Sequence, residues 1–326
     1  MRRREVLALL GGVTAARPVG ARAQQAAISV VGFLHSASAD LYADRVQAFR
    51  QGLSDAGFVE GRNVAVDFRW GEGHNDRLPT LAAELVRGGA NVIATGGMPG
   101  VLAARAATGT IPIVFQLGTD PVELGFVESL NRPGSNLTGV TNLNLELGPK
   151  RLELLHQAVP AAKVIALLVD PTNPAAELQA KIRAAAGTLG LQLHLVQASA
   201  PTDLHAAFSK IIPELGAQAL VISTGGFFVS HAKELGALSL RHGLPAIFQY
   251  REFTAAGGLM SYAGSFAEAY RLVGVYVGRI LKGEKPAELP VQQATTLELI
   301  INLKTAKALG LSLPLPLLGH ASEVIE

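Results

Sequence analysis

Short apolar runs alternate with longer amphipathic segments along the first third of this chain. The run 28–34 is apolar on both faces, and residues 63–70 alternate apolar and polar positions. Residues 91–95 and 111–115 are two further short runs rich in β-branched side chains. Buried runs of this length are typical of parallel strands that helices cover on both faces. The pattern predicts four strands separated by helices, as in a parallel sheet with right-handed crossovers.

The same alternation starts again after an irregular segment. Residues 124–145 are rich in turn-forming types, and we interpret them as a connection between two lobes. Four more short strands are predicted at residues 164–169, 192–196, 219–223 and 245–248. Extended segments follow at 257–262 and 291–301, separated by a helix that opens with the capping box Ser265 to Glu268. The fold class is therefore α/β, with two Rossmann-like lobes between which the chain crosses more than once.

One predicted strand leads directly into signals for a helix start. After the run 111–115, Gly118 relaxes the backbone, Asp120 is a suitable N-cap, Pro121 suits the first helical position and Glu123 completes a capping box. A buried strand thus delivers a polar loop to one edge of a sheet. In open α/β sheets, ligands bind at this carboxyl edge, where free backbone N–H groups favour anions.

The first 23 residues have the pattern of an export signal. Three arginines, Arg2 to Arg4, precede an eleven-residue apolar run, and Ala21 to Ala23 form a small-x-small cleavage site. The run is shorter than the roughly 20 residues that span a bilayer. We therefore interpret residues 1–23 as a signal peptide and expect a periplasmic protein. The pair Arg3 and Arg4 resembles the twin-arginine export motif, and the alternative is a frayed cytoplasmic N-terminus.

Charge and cysteine content exclude several classes of function. Without residues 1–23 the chain has 23 basic and 25 acidic residues, so no electrostatic case for nucleic-acid binding remains. The absence of cysteine excludes cysteine nucleophiles and cysteine-ligated metal clusters. The segment 96–100 lacks the spacing of a dinucleotide-binding loop, and Walker A, H-E-x-x-H and G-x-S-x-G motifs are absent. We therefore expect neither an enzyme nor a cofactor or metal site.

Motifs throughout the chain resemble those of a known family. They include Glu60 to Asn63, the run 111–115, Thr119 to Val122, Arg132 to Gly134 with Asn136 to Gly139, Arg251 to Phe253, Ala256 to Tyr262, and residues 301–311. These motifs are similar to those of periplasmic substrate-binding proteins of ABC transporters, in the group related to the tryptophan- and tyrosine-binding components. Relatives usually carry Asp-Pro-Phe where this chain has Thr224 to Phe228, so one cleft carboxylate is missing here.

The resemblance implies a type I periplasmic-binding-protein fold with a three-segment hinge. The crossings would lie near 140–145, 258–262 and 291–296. One lobe would comprise 27–140 plus 262–291, and the other 141–258 plus 296–326. A small ligand would bind between the lobes and be held by closure about the hinge.

Candidate ligand-binding residues follow from the strand ends and from this division into lobes. In the first lobe they are His35, Ser36, Gly97, Met98, Thr119 and Asp120. In the second lobe they are Asp170, Asn173, Gly225 and Phe227, with Tyr250, Glu252 and Tyr262 near the hinge. An amino-acid carboxylate would suit the amides after Gly97 and around Thr119. Its ammonium would suit Asp120, Asp170 or Glu252, and an aromatic side chain could stack on Phe227, Tyr250 or Trp70.

Each candidate also has a structural interpretation. Asp120 and Asn173 could be helix caps only, and Asp170 could bind turn amides before Pro171. His35 could serve packing, and Trp70 and Phe227 could be core or rim residues. Arg251 could bind an anion or simply face solvent.

The functional hypothesis is a monomeric periplasmic binding protein that passes a small metabolite to an ABC permease in the inner membrane. The alternatives are a ligand sensor that signals to a receptor and, third, a cytoplasmic α/β enzyme. The ligand itself stays open, because polar loop residues define a class of shapes rather than one molecule.

Overall fold

The computed structural model describes residues 28–326 except 143, 145, 172–175 and 212. The proposed signal peptide, residues 1–23, lies outside this range. The first lobe begins with five strands: β1 Ser29–His35, β2 Val64–Trp70, β3 Val92–Gly96, β4 Ile113–Leu117 and β5 Leu137–Thr141. The next five are β6 Val164–Val169, β7 Gln192–Gln197, β8 Ala219–Ile222, β9 Ala246–Phe248 and β10 Met260–Gly264. The last three are β11 Gln292–Gln293, β12 Leu297–Asn302 and β13 Glu323–Ile325.

Two sheets contain these strands. Within the described residues, the first sheet has the order β11-β5-β4-β3-β1-β2, and its strand pairs are parallel. The second has the order β13-β12-β10-β9-β8-β6-β7 and is parallel apart from the antiparallel pair β10 and β12. The central strands are buried on both faces, which is why they appear in the sequence as continuous apolar runs. This arrangement confirms the predicted α/β fold of two lobes.

The helices cover the faces of the two sheets. Those of the first half are α1 Ala43–Asp55, α2 Leu78–Arg87, α3 Gly97–Ala107, α4 Gly148–Ala158 and α5 Ala176–Thr188. The others are α6 Pro201–Ile211, α7 Gly226–Ser230, α8 Ala232–Arg241, α9 Arg251–Ala255, α10 Phe266–Leu281, α11 Leu303–Ala308 and α12 Leu315–Gly319. None of the helices in the described part of the chain is long and apolar enough to cross a membrane.

Helices α1 and α10 pack together very closely in the first lobe. Glycines in both helices allow this approach, since a methyl group added at Gly52 would overlap the carbonyl oxygen of Arg271. A methyl group at Gly274 would likewise overlap the carbonyl oxygen of Phe49. Helix α10 itself begins at the predicted cap, where the Ser265 hydroxyl accepts a hydrogen bond from the Glu268 backbone N–H.

The chain passes between the sheets at three places in the described structure. It leaves the first sheet after β5, returns between β10 and α10, and leaves again between β11 and β12. Strand β10 pairs with β9 and β12, so the second crossing follows Gly264. The sequence analysis predicted this crossing at 258–262 and placed Tyr262 in the first lobe. Both predictions are wrong, because Tyr262 lies in β10 of the second sheet. The extended pattern had no signal for the distant antiparallel partner that holds this strand in the second sheet.

Candidate ligand-binding cleft

Loops that follow strands of the two sheets meet between the lobes. Leu41 and Arg45, beyond β1, lie against Val229, Ala232 and Glu252 of the second lobe around a void of about 10 Å³. A void of this size holds at most one water molecule. The lobes are therefore in close contact on this side, and the carboxyl ends of their parallel strands border an interlobe cleft.

His35 is the last residue of β1, at the carboxyl end of this strand. Its side chain is buried, and its Nδ1 accepts a hydrogen bond of 3.0 Å from the Ala37 backbone N–H. Burial and, secondarily, the positive charge of Arg45 lower the pKa of His35 to about 3. The ring is therefore neutral, with its proton on Nε2. It contacts Tyr42 with ring centroids 3.9 Å apart, so it has a packing role whether or not it also touches a ligand.

The other candidates of the first half follow the paired strands β1 and β3. Ser36 is half-buried, and its carbonyl oxygen accepts a hydrogen bond of 2.7 Å from the Gly73 N–H. Gly97 begins α3 with φ of 72°, a left-handed conformation that suits glycine. Met98 packs against the apolar core of the first lobe. The preceding Gly96 has no room for a side chain, because a methyl group there would overlap the Tyr270 hydroxyl.

Thr119 and Asp120 lie in a turn rather than at a helix start. The Asp120 carboxylate accepts a hydrogen bond of 2.8 Å from the Val122 N–H, and the chain then turns at Gly125, which has φ of 64°. The helix predicted from Pro121 is therefore wrong, since residues 121–125 form turns. The Thr119 carbonyl oxygen accepts a hydrogen bond of 3.0 Å from the Thr141 hydroxyl, which ties this loop to the end of β5.

In the second lobe the candidates lie after β6 and β8. Asp170 directly follows β6 and is 7% exposed. Asn173 lies outside the described residues. Gly225 is extended, and Phe227 is half-buried with its ring centroid 4.5 Å from that of His231. Phe227 therefore packs within its own lobe.

An ion pair joins the two lobes at the cleft. Arg45 of α1 donates to the Glu252 carboxylate of α9 at 3.0 Å, and these side chains are 9% and 25% exposed. The Arg45 guanidinium also lies 4.7 Å from the ring centroid of Tyr42 and 5.1 Å from those of Tyr250 and Phe266. Tyr250 stacks on Phe266 across the lobes at 4.9 Å. Burial raises the pKa of Tyr250 well above its usual value, so its phenol is neutral.

A second group of polar residues lies where the lobes join. Arg151 of α4 is 1% exposed, and its Nε donates to the Tyr262 carbonyl oxygen at 2.8 Å. Its Nη2 donates to the Asn144 carbonyl oxygen at 3.0 Å. The Asn144 side-chain oxygen accepts a bond of 2.6 Å from the Gly264 N–H. Asn142 and Asn144 are each 3% exposed. Burial lowers the pKa of Arg151 to about 10, which leaves it charged at neutral pH.

Sequence reasoning missed Arg45, Arg151, Asn142 and Asn144. A signal for Arg151 exists, because residues 151, 154, 155 and 158 form the buried face of α4 and the other three are apolar. An arginine on such a face has to find polar partners in the interior. The two asparagines carried no comparable signal, since their segment was interpreted only as a connection between the lobes.

A surface groove lies away from this cleft. It has a volume of about 510 Å³ and is bordered by Thr108, Phe126, Pro133, Asn136 and Leu137. Leu137 is the first residue of β5, so the groove is at the amino ends of the strands and not at their carboxyl ends. In the described part of the chain, no group of His, Asp or Glu side chains has a metal-binding arrangement.

Comparisons with known proteins agree with this architecture. The profile of the family described as "ABC transporter substrate binding protein" matches residues 27–325. A tyrosine-binding protein of Clostridioides difficile is 25% identical over 267 residues, which cover 81% of this chain and 76% of the relative.

Two solved structures share the fold. An ABC domain from Streptococcus pneumonia in complex with L-Trp has a TM-score of 0.82 at 23% identity, covering 91% of this chain and 99% of the other. A ligand-free, open substrate-binding protein from Clostridium difficile has a TM-score of 0.67 at 21% identity, again covering 91% of this chain and 99% of the other.

Proposed function

Because this chain belongs to the ABC transporter substrate-binding protein family, a family of solute-binding proteins and not of enzymes, we propose that it captures an amino acid between its lobes and delivers it to an ABC permease. The observation that carries the choice of ligand is the composition of the cleft. Buried cations, carboxylates and aromatic rings border it together, as a zwitterion with an aromatic side chain requires.

The relatives support an aromatic amino acid. One relative is named a tyrosine-binding protein, and one structural neighbour holds L-Trp. In this chain Tyr42, Tyr250 and Phe266 offer ring faces next to Arg45. Among the candidates, we propose Asp170 as the acceptor for the ligand ammonium, because it is a buried carboxylate at the carboxyl end of β6. Ser36, Gly97, Met98, Thr119 and Asp120 would face the ligand from the first lobe.

Closure about the hinge would hold the ligand. The chain superposes better on the L-Trp complex than on the ligand-free, open protein, with TM-scores of 0.82 and 0.67. The interlobe contacts of Arg45 with Glu252 and of Tyr250 with Phe266 belong to such a closed arrangement. We further propose a periplasmic monomer, exported by residues 1–23, whose closed form the permease of the inner membrane recognises.

The test is thermal unfolding of the purified protein against a panel of amino acids, aromatic acids, nucleosides and short peptides. Native mass spectrometry checks for a ligand retained through purification. A ligand at a thousandfold excess over Kd stabilises by roughly 4 kcal/mol, which moves the midpoint by about 8 to 16 °C. We expect shifts with L-tryptophan or L-tyrosine and no product. Shifts confined to nucleosides or peptides, or turnover of the ligand, would contradict the proposal.

A further inference from the structure

The buried polar group at the hinge has more hydrogen-bonding capacity than the surrounding protein uses. Resting on the function proposed above, we propose that Arg151, Asn142 and Asn144 form the subsite that binds the carboxylate of the ligand. None of these residues was a candidate from the sequence. Among the described residues, Arg151 has no carboxylate partner, and the two asparagines have buried amide atoms without hydrogen bonds.

Arg151 is a buried cation that has no counter-ion among the described residues. Its side chain is 1% exposed, and in the described structure it donates to two uncharged backbone carbonyl oxygens, those of Tyr262 and Asn144. Among the residues that the structure describes, no carboxylate forms an ion pair with it. A buried charge is costly unless an opposite charge and hydrogen bonds compensate it. Arg45, by contrast, has the Glu252 carboxylate at 3.0 Å. An anionic ligand group would supply what Arg151 lacks.

The two asparagines have unused donors beside this cation. In Asn144 the side-chain oxygen accepts from the Gly264 N–H at 2.6 Å, which identifies Nδ2 as the amide donor. That Nδ2 is buried and has no partner in the described structure. In Asn142 both Nδ2 and Oδ1 are buried, and neither atom has a hydrogen-bond partner among the described residues. Buried side-chain polar atoms are normally hydrogen-bonded, so these call for an explanation.

The chain connects these three residues to each other and to both lobes. Asn142 and Asn144 follow β5 of the first lobe, and the Asn142 N–H donates to the Leu117 carbonyl oxygen at 3.1 Å. Arg151 lies in the first turns of α4 of the second lobe, with Nη2 3.0 Å from the Asn144 carbonyl oxygen. A carboxylate bound here would accept hydrogen bonds from both sides of the hinge. Arg151 donates to the Tyr262 carbonyl oxygen at 2.8 Å, so an aromatic residue lies beside this group.

A carboxylate complements the charge and the amide donors of Arg151, Asn142 and Asn144 better than a neutral ligand group does. Its two oxygens offer about four acceptor sites for the guanidinium and the two amide donors. The Asn142 oxygen is left to accept from a ligand N–H. The group therefore predicts preference for a free amino acid over its carboxamide.

The first test compares L-tryptophan with L-tryptophanamide by calorimetry. We expect wild-type protein to prefer the acid. In Arg151→Gln the affinity for L-tryptophan should fall by about thirtyfold or more, while the affinity for the amide changes by about threefold or less. Arg241→Gln, an exposed arginine of the same lobe, is the matched control and should leave both affinities unchanged.

The second test uses Asn142→Leu, which keeps the number and branching of the side-chain heavy atoms. If Asn142 serves the ligand, this variant removes two unpaired buried atoms, so the ligand-free protein should unfold at the same or a higher temperature. Affinity for L-tryptophan should nevertheless fall by about tenfold. A purely structural role of Asn142 in the hinge predicts the opposite, a lower unfolding temperature with affinity preserved.

The outcomes separate this inference from the proposed function. Failure of the wild-type protein to bind any amino acid counts against the function itself. Wild-type binding of L-tryptophan, combined with an unchanged preference for the acid in Arg151→Gln, overturns the carboxylate subsite alone. If Arg151→Gln does not fold, the stability and affinity of Asn142→Leu decide the question.

Discussion

The ion pair between Arg45 and Glu252 should hold the two lobes together, and Glu252→Gln tests this. The substitution keeps the shape of the side chain and removes its charge. In this structure the Arg45 side chain is 9% exposed, so it would lose its counter-ion without gaining water. After opening, both side chains would be hydrated and the change would cost little. The loss therefore falls on the closed form.

The magnitude follows from the exposure of the two side chains. Breaking a fully buried pair costs about 3–5 kcal/mol, whereas an exposed pair contributes about 0.2–1 kcal/mol. Glu252 is 25% exposed, and three aromatic rings remain near the Arg45 guanidinium. We therefore expect a loss of about 2 kcal/mol, which weakens binding of L-tryptophan about thirtyfold.

Two measurements check this expectation. Calorimetry gives the affinity, and fluorescence energy transfer gives the distance between the lobes. The chain contains no cysteine, so dyes can be attached uniquely at Ser54→Cys in α1 and Ala255→Cys in α9, both exposed. We expect Glu252→Gln to lower the closed fraction at a given ligand concentration.

The control makes the same chemical change within one lobe. Glu323 pairs with Arg251, and these side chains are 38% and 54% exposed. Glu323→Gln should therefore change affinity by about threefold at most, since an exposed pair contributes under about 1 kcal/mol. Equal affinities and closed fractions for Glu252→Gln and Glu323→Gln would refute the role of the interlobe pair.

Three further predictions concern stability. His35 should make the fold sensitive to acid. Its pKa is about 3 in the folded protein and about 6.5 in the unfolded chain. Between these values only the unfolded chain binds the proton, so the free energy of unfolding falls as the pH is lowered from 6.5 toward 3. Between pH 6.5 and 5 the wild type should lose about 2 kcal/mol more than His35→Gln in urea unfolding, and parallel pH curves would contradict this. Gly274→Ala should lower the free energy of unfolding by about 1–3 kcal/mol, because the added methyl group overlaps α1. Its control is Gly187→Ala, at an exposed helix position with open space, which should raise the free energy of unfolding by about 0.5–1 kcal/mol. Gly96→Ala should lower the unfolding midpoint, with Gly109→Ala neutral as its control; equal midpoints would show that the wall of the cleft can adjust.

Much of the fold was predictable because it depends on local patterns. The run predicted as a strand at 28–34 is β1 Ser29–His35, and the run at 219–223 is β8 Ala219–Ile222. Burial on both faces leaves a continuous apolar signature that needs no knowledge of the partner strand. The capping residue Ser265 was found for the same reason, since its hydrogen bond reaches only three residues along the chain.

Local sequence signals were insufficient where one sequence pattern is compatible with more than one local structure. Asp120 and Pro121 fit a helix start, but the carboxylate bonds to Val122 and the chain turns at Gly125. The extended segment with Tyr262 could have belonged to either lobe, and its pairing with β12 decided the matter. In both cases the competing local conformations are close in energy, and tertiary contacts select between them.

By itself, the sequence determined the class of fold, the family and the strand ends that border the cleft, because these depend on periodicity and on motifs within short segments. Tertiary structure alone decided which charges are neutralised. Glu252 was a candidate for the ligand ammonium, yet its partner Arg45 lies 207 positions earlier. Arg151, unnoticed in the sequence, bonds to the Tyr262 carbonyl oxygen 111 positions later and has no carboxylate beside it in the described structure. Electrostatic pairing depends on distance in space, which local sequence patterns do not specify.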